Sequence, residues 1–319
     1  MNIYSKLLYV CECLKHRERS RYKLIRGLNH FKYLALSRIE NFVIRQVPTS
    51  LLALNKEHRN EIITASLTSY PGRINECYYA IVSIFLQTYK PDVIVLWLAE
   101  EQFPDRKIPS LYNRLIEKGL VVRFCEDLRS HKKYYYALQE QKKNELVITF
   151  DDDIIYNPKT IERVYNKHLQ YPQSLIANEI YEIPMQTDGE IKPYTQWRHP
   201  SKKSLIPLKY KYSVLTGSGL LYPFDIMPKE TFNVGRMKEI AFSADDLWIT
   251  FMAIYNDVSV VPTDIMAKVY STVINSQREH LGQINSIGTG NDDTVKRLFL
   301  YYPETKVKLL QKQDEGCTN

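Results

Sequence analysis

From Glu61 onward, short apolar runs alternate with segments whose apolar positions recur every three or four residues. Ile62–Thr68, Val93–Leu98, Leu120–Phe124 and Glu145–Phe150 are β-branched or aromatic and short, which predicts buried strands. Between them, residues 74–87, a segment after Pro109 and residues 131–143 have helical spacing. Four β–α repeats within about ninety residues predict an α/β domain with a mostly parallel sheet flanked by helices. The later chain is less regular. Residues 158–171 are predicted helical and 174–178 a strand, and 181–212 a polar excursion over the site. Residues 214–223 form a strand-like run, and 244–253 a helix capped by Ser243. A turn is expected at 288–293 and a frayed polar tail after 304. Before the repeats, Ile3, Leu7, Val10, Cys11 and Leu14, then Leu24, Leu28, Phe31, Leu34, Leu36 and Ile39, also recur at helical spacing. The expected division is a helical extension at 1–58, a catalytic-type domain at 59–300 and a tail at 301–319.

Charge changes the reading of the extension. Residues 1–50 hold ten Lys/Arg against three Glu, a net of +7 that equals the net charge of all 319 residues. The remainder is therefore neutral, and the chain is a balanced body with a basic leader. No apolar stretch in that leader approaches the ~20 residues of a membrane span, and Leu7–Val10 is too short for a signal-peptide core. The leader is expected either to lie on an anionic membrane surface or to pack on the body or a second subunit. Nucleic acid is not an expected partner, since no recognition motif accompanies the charge. Five scattered cysteines outline neither a disulfide framework nor a zinc pattern, which agrees with a reducing compartment.

Candidate chemistry concentrates at strand ends. Asp151, Asp152 and Asp153 follow the fourth strand directly. Three adjacent like charges are tolerable when water, a cation or a cationic partner takes up the charge. Carboxylates so placed suit Mg²⁺ or Mn²⁺, which favour one or two of them plus phosphate oxygens. Thr68-Ser69-Tyr70-Pro71 stands at the end of the first strand, and ligands of such sheets bind beyond the carboxyl ends of strands. Neither glycine-rich phosphate cradle, G-x-G-x-x-G or G-x-x-x-x-G-K-[ST], is present, which disfavours dinucleotide oxidoreductases and P-loop NTPases. Gly217 and Gly219 within a strand-like run suggest either close approach to a ligand or a bulge. Asp245 and Asp246 open a helix, where acids are stabilising in any case and where one carboxylate could also take a proton from a hydroxyl.

In order, Ser66–Ile74, Ser130-x-Lys132-Lys133, the Asp151–Asp153 triplet, Gly217-Ser218-Gly219 and Ala244-Asp245-Asp246-Leu247-Trp248 resemble nucleotide-sugar-dependent glycosyltransferases of the GT-A, Rossmann-like fold. The resemblance is to bacterial capsule and lipopolysaccharide enzymes and spans about residues 60–295. It implies Asp151 and Asp153 as D-x-D carboxylates around Mn²⁺ or Mg²⁺, with Asp152 beside them. It further implies that Thr68, Ser69, Tyr70, Pro71 and Arg73 line the nucleotide pocket, and that Lys132 or Lys133 contacts the base or diphosphate. Gly217, Ser218 and Gly219 would lie near the donor sugar, and Trp248 would stack on an acceptor sugar. Asp245 or Asp246 would be the general base, the second being preferred. His280, the one histidine after His199, would be a late metal ligand. The chain has Asp-Asp where the family often has Glu-Asp, which leaves the register of the base open.

The resulting expectation is a metal-dependent transferase moving a sugar, by inversion, from a UDP-sugar to a surface glycan. A lipid-linked acceptor at the cytoplasmic face of the membrane and a homodimer are both compatible with this reading, and the sequence chooses neither the acceptor nor the oligomeric state. Two other classes remain: a metal-dependent nucleotidyl- or phosphotransferase, in which the Asp245-Asp246 pair joins the first metal site, and a non-catalytic carbohydrate-binding module.

Overall fold

The computed structural model describes residues 1–14, 23–186, 190–200, 209–263, 271–273 and 290–311. The first four strands are β1 (Ile62–Thr68), β2 (Val93–Ala99), β3 (Leu120–Cys125) and β4 (Glu145–Phe150). Because successive strand residues point to opposite faces, each strand supplies two cores. Ile63, Ala65, Leu67, Ile94, Leu96, Leu98, Leu146, Ile148 and Phe150 enter one cluster. Val95, Trp97 and Val147 enter the other. Both faces are covered, which explains why these strands read as nearly continuous apolar runs.

Further strands are β5 (Ile154–Ile155), β6 (Ser174–Ala177), β7 (Ile180–Glu182), β8 (Tyr212–Val214), β9 (Ser218–Tyr222), β10 (Ser259–Pro262) and β11 (Ser271–Thr272). Seven of them form one sheet in the order β10-β6-β9-β4-β1-β2-β3. All its pairings are parallel except those of β9, which runs antiparallel to both β4 and β6. Pro262, which cannot donate to a ladder, lies on the edge strand β10. The α/β architecture with a mostly parallel, Rossmann-like central sheet agrees with the expectation. Two small antiparallel pairs stand outside it, β5 with β11 and β7 with β8.

The helices are α1 (Ile3–Leu14), α2 (Lys23–Arg45), α3 (Ile74–Phe85), α4 (Asn113–Ile116), α5 (Lys132–Gln139), α6 (Thr160–His168), α7 (Val234–Ala241) and α8 (Asp245–Tyr255), followed by Gly290–Tyr301 and Pro303–Gln311. Buried residues of α1, α2, α3 and α6 join the first core, and those of α5, α7, α8 and the helix Gly290–Tyr301 join the second. The result is a three-layer α/β/α sandwich. The helical leader packs on the body through Leu8, Val43, Ile44 and Val47. Polar ties add to this packing: Ser5 Oγ donates to the Leu86 carbonyl at 3.0 Å, and Asn41 Nδ2 to that of Thr272 at 3.0 Å.

Several expectations need correction. The segment after Pro109 yields only a 3₁₀ turn and the four-residue α4, since three elements must share about twenty residues. Ser243 does not cap α8; Ala244 holds that position without a side-chain bond. The excursion at 181–212 contains β7, β8 and a 3₁₀ turn at Tyr194–Gln196. A helix begins at Gly290 where a turn is expected, and Pro303–Gln311 is helical where fraying is expected. Among the described residues no helix is long and apolar enough to cross a membrane.

Candidate active site

The strand order reverses at β1. Its crossover through α3 leads outward to β2 and β3, whereas β4 pairs on its other side. Such a switch point opens a crevice beyond the carboxyl ends of β1 and β4, where open α/β sheets bind ligands. The aspartate triplet follows β4 at that edge, and Ser69 to Arg73 follow β1.

The three aspartates separate by direction. Asp152 is buried; one oxygen accepts from Ser69 Oγ at 2.6 Å and the other from Arg73 Nη1 at 3.0 Å. Burial raises its pKa, against the pull of Arg73 and the Ser69 hydroxyl. Arg73 also pairs with Asp153 at 3.1 Å. Asp152 and Ser69 therefore join the two strand ends, and the Ser69 hydroxyl, expected to line the nucleotide pocket, is turned to Asp152 instead. Asp151 is the open member, its side chain 41% exposed, with one oxygen 2.6 Å from Lys133 Nζ.

Lys133 is the hub. Its side chain is 3% exposed, and the ammonium lies 2.6 Å from Asp151 and 2.9 Å from Asp245. Burial alone would lower its pKa, but Asp151, Asp245 and Asp246 hold it well above the usual lysine value. Its position follows from α5, whose first turn rests on the second face of β1; Ser66 Oγ donates to the Lys133 carbonyl and accepts from Trp97 Nε1 at 3.0 Å. Lys132 points elsewhere, pairing with Asp127, so of the two lysines only Lys133 joins the carboxylates of the crevice. Adjacent helix residues are a hundred degrees apart, and only one of the two lysines can face the crevice.

Asp245 and Asp246 stand in the first turn of α8, where the helix dipole favours negative charge. Asp245 is buried and accepts from Ser130 Oγ at 2.7 Å and from Thr216 Oγ1 at 2.6 Å. Burial acts to raise its pKa, yet Lys133 and the neighbouring hydrogen bonds hold it well below the usual carboxylate range. Asp246 Oδ1 accepts from the Thr216 N–H at 2.7 Å and lies 2.7 Å from Thr216 Oγ1. A single hydroxyl hydrogen cannot serve both carboxylates. With burial first and the charge of Asp245 second, Asp246 is pushed up to about 7. The pair thus divides into a fixed anion and a partly exposed carboxyl poised near neutrality, the division that proton-transfer sites require.

Gly217 supports this arrangement. Its carbonyl accepts from the Tyr156 hydroxyl at 2.6 Å and from the Asp151 N–H at 3.1 Å, binding the end of β4 to the start of β9. A Cβ at Gly217 would lie 1.8 Å from Asp151 Oδ2. Gly217→Ala is therefore expected to displace the Asp151 carboxylate and weaken binding of a nucleotide with divalent metal by at least about tenfold. Equal affinity by calorimetry would remove Asp151 from the binding site. Gly219 adopts φ +92°, and an added Cβ would meet Asn178 and Thr160. Ser218 is buried, its hydroxyl donating to the Leu215 carbonyl at 2.7 Å, so it serves the turn.

Of the other expected residues, Thr68 donates to the Trp97 carbonyl at 2.8 Å, Tyr70 lies under the Arg73 guanidinium, and Pro71 is exposed at the rim. Trp248 is fully buried; its Nε1 donates to the Thr231 carbonyl at 3.0 Å and its ring packs on Tyr302. It is a core residue and cannot stack on an acceptor sugar. His280 lies outside the described residues. Sequence reasoning missed Thr216, Tyr156, Tyr181 and Tyr194. Thr216 directly precedes Gly217 and Tyr156 closely follows the triplet, so proximity to a motif was the available signal. For Tyr181 and Tyr194 there was none. Burial first, then the charges of Glu179 and Asp246, raise Tyr181 to about 12; Tyr194 is likewise raised by burial and by Asp246. The two rings, with His199 and Trp197, form a continuous aromatic wall near Asp246.

The crevice is acidic. Asp151, Asp152, Asp153, Asp245 and Asp246 share two cations, Arg73 and Lys133, leaving an excess of negative charge. No cluster of three or more His, Cys, Asp or Glu able to hold a metal occurs among the described residues. Two carboxylates at one strand end suit an ion that takes the rest of its shell from phosphate and water.

No protein-family model matches the chain, and no curated protein sequence matches it. A solved structure similar to it is the 4-diphosphocytidyl-2C-methyl-D-erythritol synthase of Anaerococcus prevotii. The two chains are 14% identical, the alignment covers 72% of this chain and 96% of that one, and the TM-score is 0.39. A likeness at that level bears on no residue of the site.

Proposed function

We propose that the protein is a glycosyltransferase that moves a sugar from a nucleoside diphosphate sugar to a hydroxyl of a glycan, with inversion. The observation that carries the reading is the divided pair Asp245/Asp246, joined through Lys133 to the Asp151 end of β4. This sets a strand-end carboxylate, of the kind that can hold a metal–diphosphate, beside a proton acceptor poised near pH 7. Asp151 and Asp153 would hold Mg²⁺ or Mn²⁺, which would offset the negative charge that develops on the diphosphate leaving group.

Asp246 takes the proton of the acceptor hydroxyl as that oxygen bonds to the anomeric carbon and the bond from that carbon to the phosphate oxygen breaks. Asp245, held charged by Lys133 and oriented by Ser130 and Thr216, keeps Asp246 basic. Tyr181 and Tyr194 supply flat faces on which a sugar ring can lie, the part expected of Trp248. UDP as the nucleotide and a capsule or lipopolysaccharide acceptor follow from the motif resemblance.

Nucleotidyl transfer is the second reading, favoured by one fact: Asp245 and Asp151 share Lys133, so the acidic pair does reach the first site. One experiment separates the two. The protein is melted with UDP-, GDP- and CDP-sugars with and without Mn²⁺, and the products are then identified. A ligand at a hundred times its dissociation constant adds about 2.7 kcal/mol, a rise of several degrees. A Mn²⁺-dependent rise that Asp153→Asn abolishes, with release of nucleoside diphosphate, supports sugar transfer. Pyrophosphate released from a nucleoside triphosphate and a sugar phosphate supports the second reading, and no shift with any nucleotide sinks both.

A further inference from the structure

We propose that α1 and α2 form a docking surface for an anionic lipid bilayer, the helices lying along it without crossing. Each helix buries one face and leaves a second apolar face unpartnered. In α1, Ser5, Leu8 and Cys11 are buried, whereas Ile3, Leu7, Val10 and Leu14 are exposed. At one hundred degrees per residue those four fall within an arc of about sixty degrees on the side away from Leu8. In α2, Ser37, Glu40, Asn41, Val43 and Ile44 are buried, while Leu28, Phe31, Ile39 and Phe42 form an exposed stripe on the opposite side. Phe31 is 71% and Phe42 64% exposed, an unusual position for rings that would each otherwise bury a large area.

The rest of the described surface exposes nine large apolar side chains, spread over several elements from β1 to the last helix. Here Met1, Ile3, Leu7, Val10, Leu14, Leu28, Phe31, Leu34, Ile39 and Phe42 gather on two helices that pack against each other. Concentration of this kind marks an interaction surface.

Charge decides the partner. Lys6, Lys32, Arg38 and Arg45 are exposed on the same helices. Their two acids turn inward: Glu12 lies 3.5 Å from Arg163, and Glu40 is buried. A second copy of the chain would bring two basic faces together, and like charges at close range oppose that contact. An apolar stripe flanked by lysine and arginine instead matches an anionic lipid surface, where acyl chains take the stripe and headgroups the cations. The inference is independent of the reaction catalysed.

The test is sedimentation of the full chain with vesicles of phosphatidylcholine alone or with one third phosphatidylglycerol, together with its mass in solution. Binding to anionic vesicles at least about tenfold tighter than to neutral ones is expected, weakening as salt rises. Phe31→Ser/Phe42→Ser and Lys32→Glu/Arg38→Glu are each expected to reduce it about tenfold with unchanged melting temperature, because all four side chains face solvent. Failure of the unsubstituted protein to bind anionic vesicles would overturn the proposal, as would equal binding to both vesicles or wild-type binding by both variants. A dimer that Phe31→Ser/Phe42→Ser dissociates would overturn it in favour of self-association.

Discussion

Asp246→Asn is expected to lower kcat by about 10²–10⁴-fold while leaving the dissociation constant of the nucleotide donor unchanged. The amide keeps an acceptor for the Thr216 N–H, so the start of α8 is held as before, but it cannot take a proton. In the wild type, kcat/KM should rise with pH and level off above an inflection near 7, since the base works only when deprotonated. The same group makes an opposite prediction for stability. Its folded pKa lies above the ordinary 3.8, so its contribution is full below that value and is lost as pH rises through about 7. Asn mimics the protonated acid. The variant should therefore melt above the wild type at pH 8 and approach it at pH 4. Undiminished turnover would remove Asp246 from the reaction, and a melting difference that grew toward acid would contradict its protonation state.

Lys133→Met is expected to cost about 3–5 kcal/mol of stability, a fall in melting temperature on the order of ten degrees. Its aliphatic stem is replaced by one of similar shape, so the loss is electrostatic: Asp245 is left buried without its cation, beside Asp151. Asp245 has a depressed pKa, so its stabilisation is present above the ordinary 3.8 and vanishes as pH falls. The deficit of the variant should accordingly be largest near pH 7.5 and shrink at pH 4, where the stranded acid protonates. A deficit equal at both pH values would mean that Lys133 acts by packing. Residual transfer should fall as well, because without the ammonium Asp245 no longer stays charged beside Asp246.

The sheet was legible in the sequence because its physics is local. Val93–Leu98 and Glu145–Phe150 are too short and too uniformly apolar to be anything but strands buried on both faces, and the structure places them so. The position of Asp151 to Asp153 followed from the strand before them. What stayed hidden were choices made by packing across distance. Lys132 and Lys133 are equivalent on paper, and only the rotation of α5 over β1 sends one to Asp127 and the other into the crevice. Trp248 looks like a sugar platform beside an acidic pair, yet a helix whose following residues are almost all buried leaves it no open face. Tyr181 and Tyr194 are brought together only by the small β7–β8 sheet and the turn between its two strands, which carry no periodic signal.

The reversed direction of β9 has a consequence for how the molecule comes into being. Because it runs against its neighbours, its first residues, not its last, reach the carboxyl edge, which sets Thr216 and Gly217 beside the end of β4. The α8 carboxylates then meet partners far back in the chain; Ser130 and Asp245 are 115 residues apart. A nascent chain that ends before β9 can bring Lys133 to Asp151, but it has no counter-charge for the other side of that ammonium. Such separated pairings close late, since chain entropy must be lost before they return anything. Docking of α8 is then the step at which an assembling chain balances its interior charge, and a ribosome must release most of the sequence before the fold can lock.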